Sequence, residues 1–172
     1  MPGRSFTIDC AFRDSRLFGA ALGDLDTWLA WLTVLCAAFA LPLTVEQQQQ
    51  FATIAGGRLP PAKLVRELWI VAGRRSGKSR IAALIAVFIA LFAKHRASPG
   101  ERQMVLTIAE SVDQAETVFG YVAGFLEVSP TLAKEVVSIK RREVTLRNGV
   151  VIAVHANSFR TITRTHFSCG YF

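Results

Sequence analysis

The residue types best suited to chemistry sit in one run, WIVAGRRSGKSR, residues 69–80. Ala72-Gly73-Arg74-Arg75-Ser76-Gly77-Lys78-Ser79 follows the phosphate-loop spacing G-x-x-x-x-G-K-[ST], with Ala72 in place of the first glycine. Each residue type has a physical reason to be there. A tight loop after a strand can turn successive backbone N–H groups inward and make an anion nest. Gly77 lets the backbone approach phosphate oxygens closely. A helix opening at Lys78 would aim its positive dipole end at the same anion. Lys78 is then placed to reach β- and γ-phosphates, and Ser79 to give an oxygen to Mg²⁺. Arg74 and Arg75 lie inside the loop, where either guanidinium could stabilise charge on a γ-phosphate as an arginine finger in cis; Arg74 is the favoured candidate. A contact to DNA, or a solvated charge, is the competing reading for both.

Such a loop needs a strand before it and a helix after it, and the flanking periodicity predicts both. Leu68–Ala72 is short, apolar and bounded by turn residues, as expected of a buried strand. Residues 78–93 read as a helix, apolar on most sides. Residues 103–109, QMVLTIA, read as a second buried strand, and 111–128 as a second helix with Ser111 and Gln114 spaced as a capping box. Strand, helix, strand, helix predicts a parallel sheet covered on both faces. EVTLRNGVVIAVHA, 143–156, predicts a hairpin turning on Asn148-Gly149 through two residues that tolerate positive φ. His155 falls on that hairpin and reads as a sheet residue. Lys140-Arg141-Arg142 lies beside it, either as a DNA-phosphate contact or as a plain solvated turn. Residues 157–172 show no clear period.

The N-terminal part has a different texture. Residues 17–43 read as helix, interrupted near Gly23, with Thr27 as an N-cap for the apolar run 28–43. That run holds 16 uncharged residues and ends near Pro42, whereas a membrane span needs about 20. A core helix is therefore expected, and no membrane partner. Residues 45–55 read as a helix capped by Thr44. GGRLPPAK, 56–63, cannot continue a helix and reads as a linker. The organisation expected is a helical region over 1–63 and an α/β domain over 64–172.

The chain has 172 residues, 51% of them hydrophobic, with a formal net charge of +7. Residues 1–68 hold six Lys/Arg and six Asp/Glu, so the whole excess falls in the half that begins at the loop. A basic half of this kind suits an anionic partner such as nucleotide or nucleic acid. Cys10, Cys36 and Cys169 are far apart, and His95, His155 and His166 are not spaced with them as metal ligands. Zinc and a disulfide framework are not expected; reduced thiols in the cytoplasm are. The first 16 residues carry mixed charges and no signal-peptide core.

ELWIVAGRRSGKSRIAALIAVFIA resembles the Walker A region of bacteriophage large terminase subunits, the motor ATPases that package viral DNA into procapsids. GERQMVLTIAESVDQAETVF, 100–119, is similar to that family's second strand and following helix. LRNGVVIAVHANSFRT, 146–161, is similar to its hairpin and the loop before its Walker B strand. The resemblance spans roughly residues 12–161. It implies a RecA-like P-loop NTPase domain, a three-layer parallel sheet here incomplete, with an N-terminal helical segment. It also implies ATP and Mg²⁺ as ligands, double-stranded DNA, portal protein and small terminase subunit as partners, oligomeric assembly of the full-length motor, and the host cytoplasm as compartment. An adenine-recognising glutamine before the loop is implied too, with Gln48 or Gln49 the candidates. The pattern departs at its end. Residues 160–166 read RTITRTH without the family's Arg-Gly, and no Asp or Glu follows Glu143. The Walker B aspartate, its neighbouring glutamate and the nuclease domain have no counterpart. The expectation is ATP binding without efficient hydrolysis. A helicase-like P-loop ATPase and a non-catalytic prophage remnant are the alternatives.

Overall fold

The computed structural model describes residues 6–94, 98 and 100–157. His95, His166 and Cys169, and the expectations for residues 158–172, lie outside them. The described chain divides into two units, one ending at Gly73 and one beginning at Arg74.

The first unit is helical. Helix α1 (Ile8–Arg13) buries Ile8, Ala11 and Phe12. Helix α2 (Gly19–Leu22) stops at Gly23, whose φ of 74° ends the turn where the sequence predicts an interruption. A 3₁₀ turn over Leu25–Trp28 leads into α3 (Leu29–Ala38). The cap here is not Thr27. Asp24 accepts the N–H of Asp26 at 3.1 Å, and Thr27 instead donates its hydroxyl to the Asp24 carbonyl. An aspartate at the earlier position intercepts the N-terminal donors first. The apolar run therefore makes a ten-residue core helix, ended by Ala40 in a left-handed conformation. Among the described residues, no helix is long and apolar enough to cross a membrane. Cys36 is buried on α3, and burial pushes its thiol up to about 11, with Asp9 adding to the rise. It is thus a protonated core residue at neutral pH.

Helix α4 (Val45–Ile54) carries the expected Thr44 cap as a full capping box with Gln47. It is tied to α3 by the buried Thr33 hydroxyl, which donates to Gln50 Oε1 at 2.7 Å. The linker that follows is pinned where the Val65 N–H meets the Ala38 carbonyl at 3.0 Å.

Leu68–Ala72 does not form the expected strand. It has no strand assignment and no partner in the sheet. Trp69 is 89% exposed and Val71 wholly so. The composition suits a strand, but β preference is a preference for a pleated, half-buried place beside a neighbour. None of the described strands supplies that neighbour.

The second unit is mixed α/β. Helix α5 (Lys78–Phe92) and strand β1 (Met104–Ala109) lie where the periodicity predicts them. So does α6 (Val112–Val128), capped where Ser111 Oγ accepts the Gln114 N–H at 3.2 Å. A four-residue helix α7 (Pro130–Ala133) follows, and the buried Ser129 caps it. Strands β2 (Val136–Lys140), β3 (Glu143–Leu146) and β4 (Val151–Ala156) complete a sheet of order β1-β4-β3-β2. Only β1 and β4 are parallel; β4–β3 and β3–β2 are antiparallel. The sheet is mixed because two hairpins in succession extend it, one of them through β2, which the sequence reading left unassigned. Nor do the helices divide between the two faces. Helices α5 and α6 touch each other and both touch β1 and β4, so they lie side by side on one face.

The β3–β4 turn is also longer than expected. Leu146 and Val150 close it through the Leu146 N–H at 3.0 Å, and the Gly149 N–H returns to the Leu146 carbonyl. Only Gly149, at φ 83°, is left-handed. This is a three-residue loop with a glycine bulge rather than a two-residue turn with both central residues at positive φ. Asn148 is held otherwise: its Oδ1 accepts the Val150 N–H at 3.1 Å, and its Nδ2 donates to the Ala90 carbonyl of α5 at 2.8 Å.

Candidate phosphate-binding loop

Gly77 caps α5 in a left-handed conformation, φ 81° and ψ 7°, and contributes no side-chain hydrogen bond to the helix end. Its carbonyl accepts the Ile81 N–H at 3.0 Å, which starts the helix. A side chain at this φ is disfavoured, so glycine is what allows the loop to turn straight into the helix. Two residues earlier Arg75 is also left-handed, at φ 62°. Interspersed left-handed residues are the backbone pattern of an anion nest.

The charges at this helix end are unusual. Helices α1, α4 and α6 each carry an acid in the first turn: Asp9, Glu46 and Asp113. That is the arrangement the helix dipole favours. Helices α2, α3, α5 and α7 carry none, and among the described helices α5 alone holds cations there, Lys78 and Arg80. Cations at the positive end of a dipole repel it, and a bound anion would reverse the sign of that interaction. Arg74, Arg75 and Lys78 are exposed; Ser76, Gly77 and Ser79 are half-buried; Gly73 is exposed just before them. Among the described residues, neither Arg74 nor Arg75 forms an ion pair. The loop thus presents three cations outward around a backbone turn, with the Ser79 hydroxyl on the first turn of the helix.

The hairpin fixes which end of the sheet the loop approaches. Asn148 ties the last turn of α5 to the turn that precedes β4, at the starting ends of β1 and β4, where Met104 pairs with Val151. Helix α5 has 15 residues and spans about 22 Å; β1 has six and spans about 20 Å. Running back along the strands, α5 carries its N-terminus towards their carboxyl ends. In open α/β sheets ligands bind outside the carboxyl ends of the strands. The Asn157 N–H closes that end onto the Ala109 carbonyl at 2.7 Å, and Glu110, Ser111 and Asp113 follow directly. The β2–β3 turn reaches the same end, since the Val154 N–H donates to the Arg142 carbonyl at 3.0 Å. Lys140, Arg141 and Arg142 and the phosphate loop therefore share one end of the sheet.

The glutamines belong to the other unit. Gln48 and Gln49 are exposed on α4. The Gln48 amide donates to the Leu43 carbonyl at 3.1 Å, while Gln47 and Gln50 are held by the cap and by Thr33. His155 lies on β4 opposite Ile108, as a sheet residue, and its Nε2 is buried without a hydrogen-bond partner among the described residues. Sequence reasoning did not single out Glu116, Phe119 and Gly120 of α6, which line a groove together with Arg141 and Arg142 of the basic turn. A glycine in the middle of an otherwise strong helix was the available signal.

Phosphate oxygens fit this loop: the left-handed Gly77, the first turn without an acid and the exposed Lys78 all suit an anion. Among the described residues no three His, Cys, Asp or Glu side chains group as a metal site. A Mg²⁺ carried on a nucleotide would take Ser79 from the loop. Comparison with protein-family models, with curated proteins and with solved structures gives no match.

Proposed function

We propose that this chain is the ATP-binding part of a phage DNA-packaging terminase motor, which in a full-length protein couples ATP hydrolysis to DNA translocation. The observation that carries the nucleotide part is the start of α5. The spacing of the loop, a left-handed Gly77 and a first turn with cations and no acid coincide there. The terminase part rests on the resemblance of the loop, the second strand and the hairpin. It brings with it double-stranded DNA, portal protein and small terminase subunit as partners.

In this reading the loop backbone and the helix N-terminus hold the phosphates in a fixed orientation. Lys78 neutralises charge on the β- and γ-phosphates, and Arg74 stands beside the γ-phosphate. Ser79 offers its oxygen to Mg²⁺, which when bound supplies further neutralisation of the phosphate charge. None of these loop residues is an acid, and the family's water-orienting acid has no counterpart in the stretch that resembles it.

Binding and turnover should therefore separate. A titration with a non-hydrolysable ATP analogue and Mg²⁺ should show saturable binding to the 172-residue chain. Lys78→Ala removes a charge-assisted contact of about 1.5–3 kcal/mol, a loss of tenfold or more in affinity. Phosphate release should stay far below that of ordinary motor ATPases. An unchanged affinity in Lys78→Ala, with circular dichroism intact, would sink the nucleotide reading.

A further inference from the structure

We propose that the groove between the β2–β3 turn and α6 seats the phosphodiester backbone of a nucleic acid. The inference rests on the nucleic-acid-motor reading above and gives it a contact surface. The groove has a volume of about 450 Å³ and is lined by Glu116, Phe119, Gly120, Arg141 and Arg142.

Its walls differ in chemistry. On one side stands the two-residue turn Arg141-Arg142, preceded by Lys140 at the end of β2, which pairs with Glu143 across it. Arg141 sits at the apex in a left-handed conformation, φ 49°, and is exposed. Arg142 is half-buried and lines the groove 3.8 Å from the Glu116 carboxylate. On the other side, Gly120 lies exposed on the continuous helix α6, where an added Cβ would meet nothing within 4 Å. Phe119 lies half-buried beside it.

Charge complementarity selects the occupant. Lys140 and Arg141 form no ion pair among the described residues. Their charges reach solvent and suit a polyanion. The two carboxylates nearby do not cancel this. Glu143 is the register partner of Lys140 at the base of the turn, and Glu116, with its side chain 67% exposed, is free to swing off Arg142. A glycine floor and an aromatic wall accommodate a sugar-phosphate backbone, with the ribose or a base edge against Phe119. Poly-glutamate, which has no ring or branched apolar side chain, would use the cations alone and gain nothing from the aromatic wall. The groove lies at the same end of the sheet as the phosphate loop, where nucleotide-driven movement can reach it.

The test is fluorescence anisotropy on the 172-residue chain with a labelled DNA duplex, a single strand of the same sequence, and poly-glutamate as competitor. Lys140→Gln/Arg141→Asn keeps Arg142 with its partner, and Asn tolerates the left-handed φ. For duplex DNA, the slope of log affinity against log salt should flatten by about 2, because each phosphate contact adds about 0.9. Gly120→Leu fills the groove without changing charge and should weaken binding of whichever DNA form occupies it. An unchanged salt slope in the double variant overturns the proposal. So does unaltered DNA binding in a folded Gly120→Leu, or poly-glutamate displacing DNA as well as unlabelled DNA does. ATP-analogue affinity should be unchanged in both variants. Should wild type bind DNA in this manner yet not the analogue, the loop reading fails while the groove stands.

Discussion

At the loop, the backbone and the side chains make separable contributions. Gly77 matters for its φ, and Arg75 shares the left-handed region two residues earlier while carrying a charge. A left-handed non-glycine residue costs about 1–2 kcal/mol, although asparagine is tolerated there more readily than most. Gly77→Ala is expected to lower the stability of the second unit by about that amount in urea unfolding, and to weaken analogue binding by misdirecting the first helical N–H groups. Arg75→Asn should leave stability within about 0.5 kcal/mol, because the backbone conformation survives. Any fall in its analogue affinity then measures the guanidinium alone. Equal stability of Gly77→Ala and wild type would show that the left-handed cap is not held in solution.

At the level of elements, Asn148 joins three features: the bulged hairpin, the start of β4 and the last turn of α5. Asn148→Ala removes two hydrogen bonds, each worth about 1 kcal/mol, and should cost about 1–2 kcal/mol in urea unfolding. Asn148→Asp keeps the acceptor for Val150 but sets a carboxylate against the Ala90 carbonyl at the negative end of α5, and should cost at least as much as Asn148→Ala. A cost near zero for both would mean that α5 is not anchored through the hairpin. The same residue shows what sequence could and could not convey. Asn148-Gly149 marked a hairpin, and the alternation around it placed β3 and β4. Asn148, with φ negative, instead reaches Ala90, 58 residues away, and no local pattern encodes such a partner. Helices α4, α5 and α6 were legible because their caps and periods are local: Thr44, Gly77 and Ser111 each act within one turn. Strand β2 was not, since VVSIK is short and its pairing shifts register between Val136 and Ser138. The loop itself was legible as spacing. The groove was not, because it forms where a helix and a hairpin turn meet.

For the whole molecule, the apolar run before the loop governs association between chains. Leu68, Trp69, Ile70 and Val71 are all exposed, Trp69 at 89%. Among the described residues, strand β1 is bonded on one side only, to β4. An apolar extended segment and an open sheet edge are each a template for association between chains. The net charge of +7 opposes this by long-range repulsion, which salt screens. The chain should therefore associate as salt or concentration rises. Trp69→Lys/Val71→Lys breaks the apolar run and adds two charges at positions exposed to water, where substitutions rarely change stability by more than about 0.5 kcal/mol. Light scattering should show less self-association than wild type at the same salt, with the urea midpoint and analogue affinity unchanged. If the variant instead unfolds or loses the analogue, residues 68–72 are paired and buried in solution, as their composition first indicated.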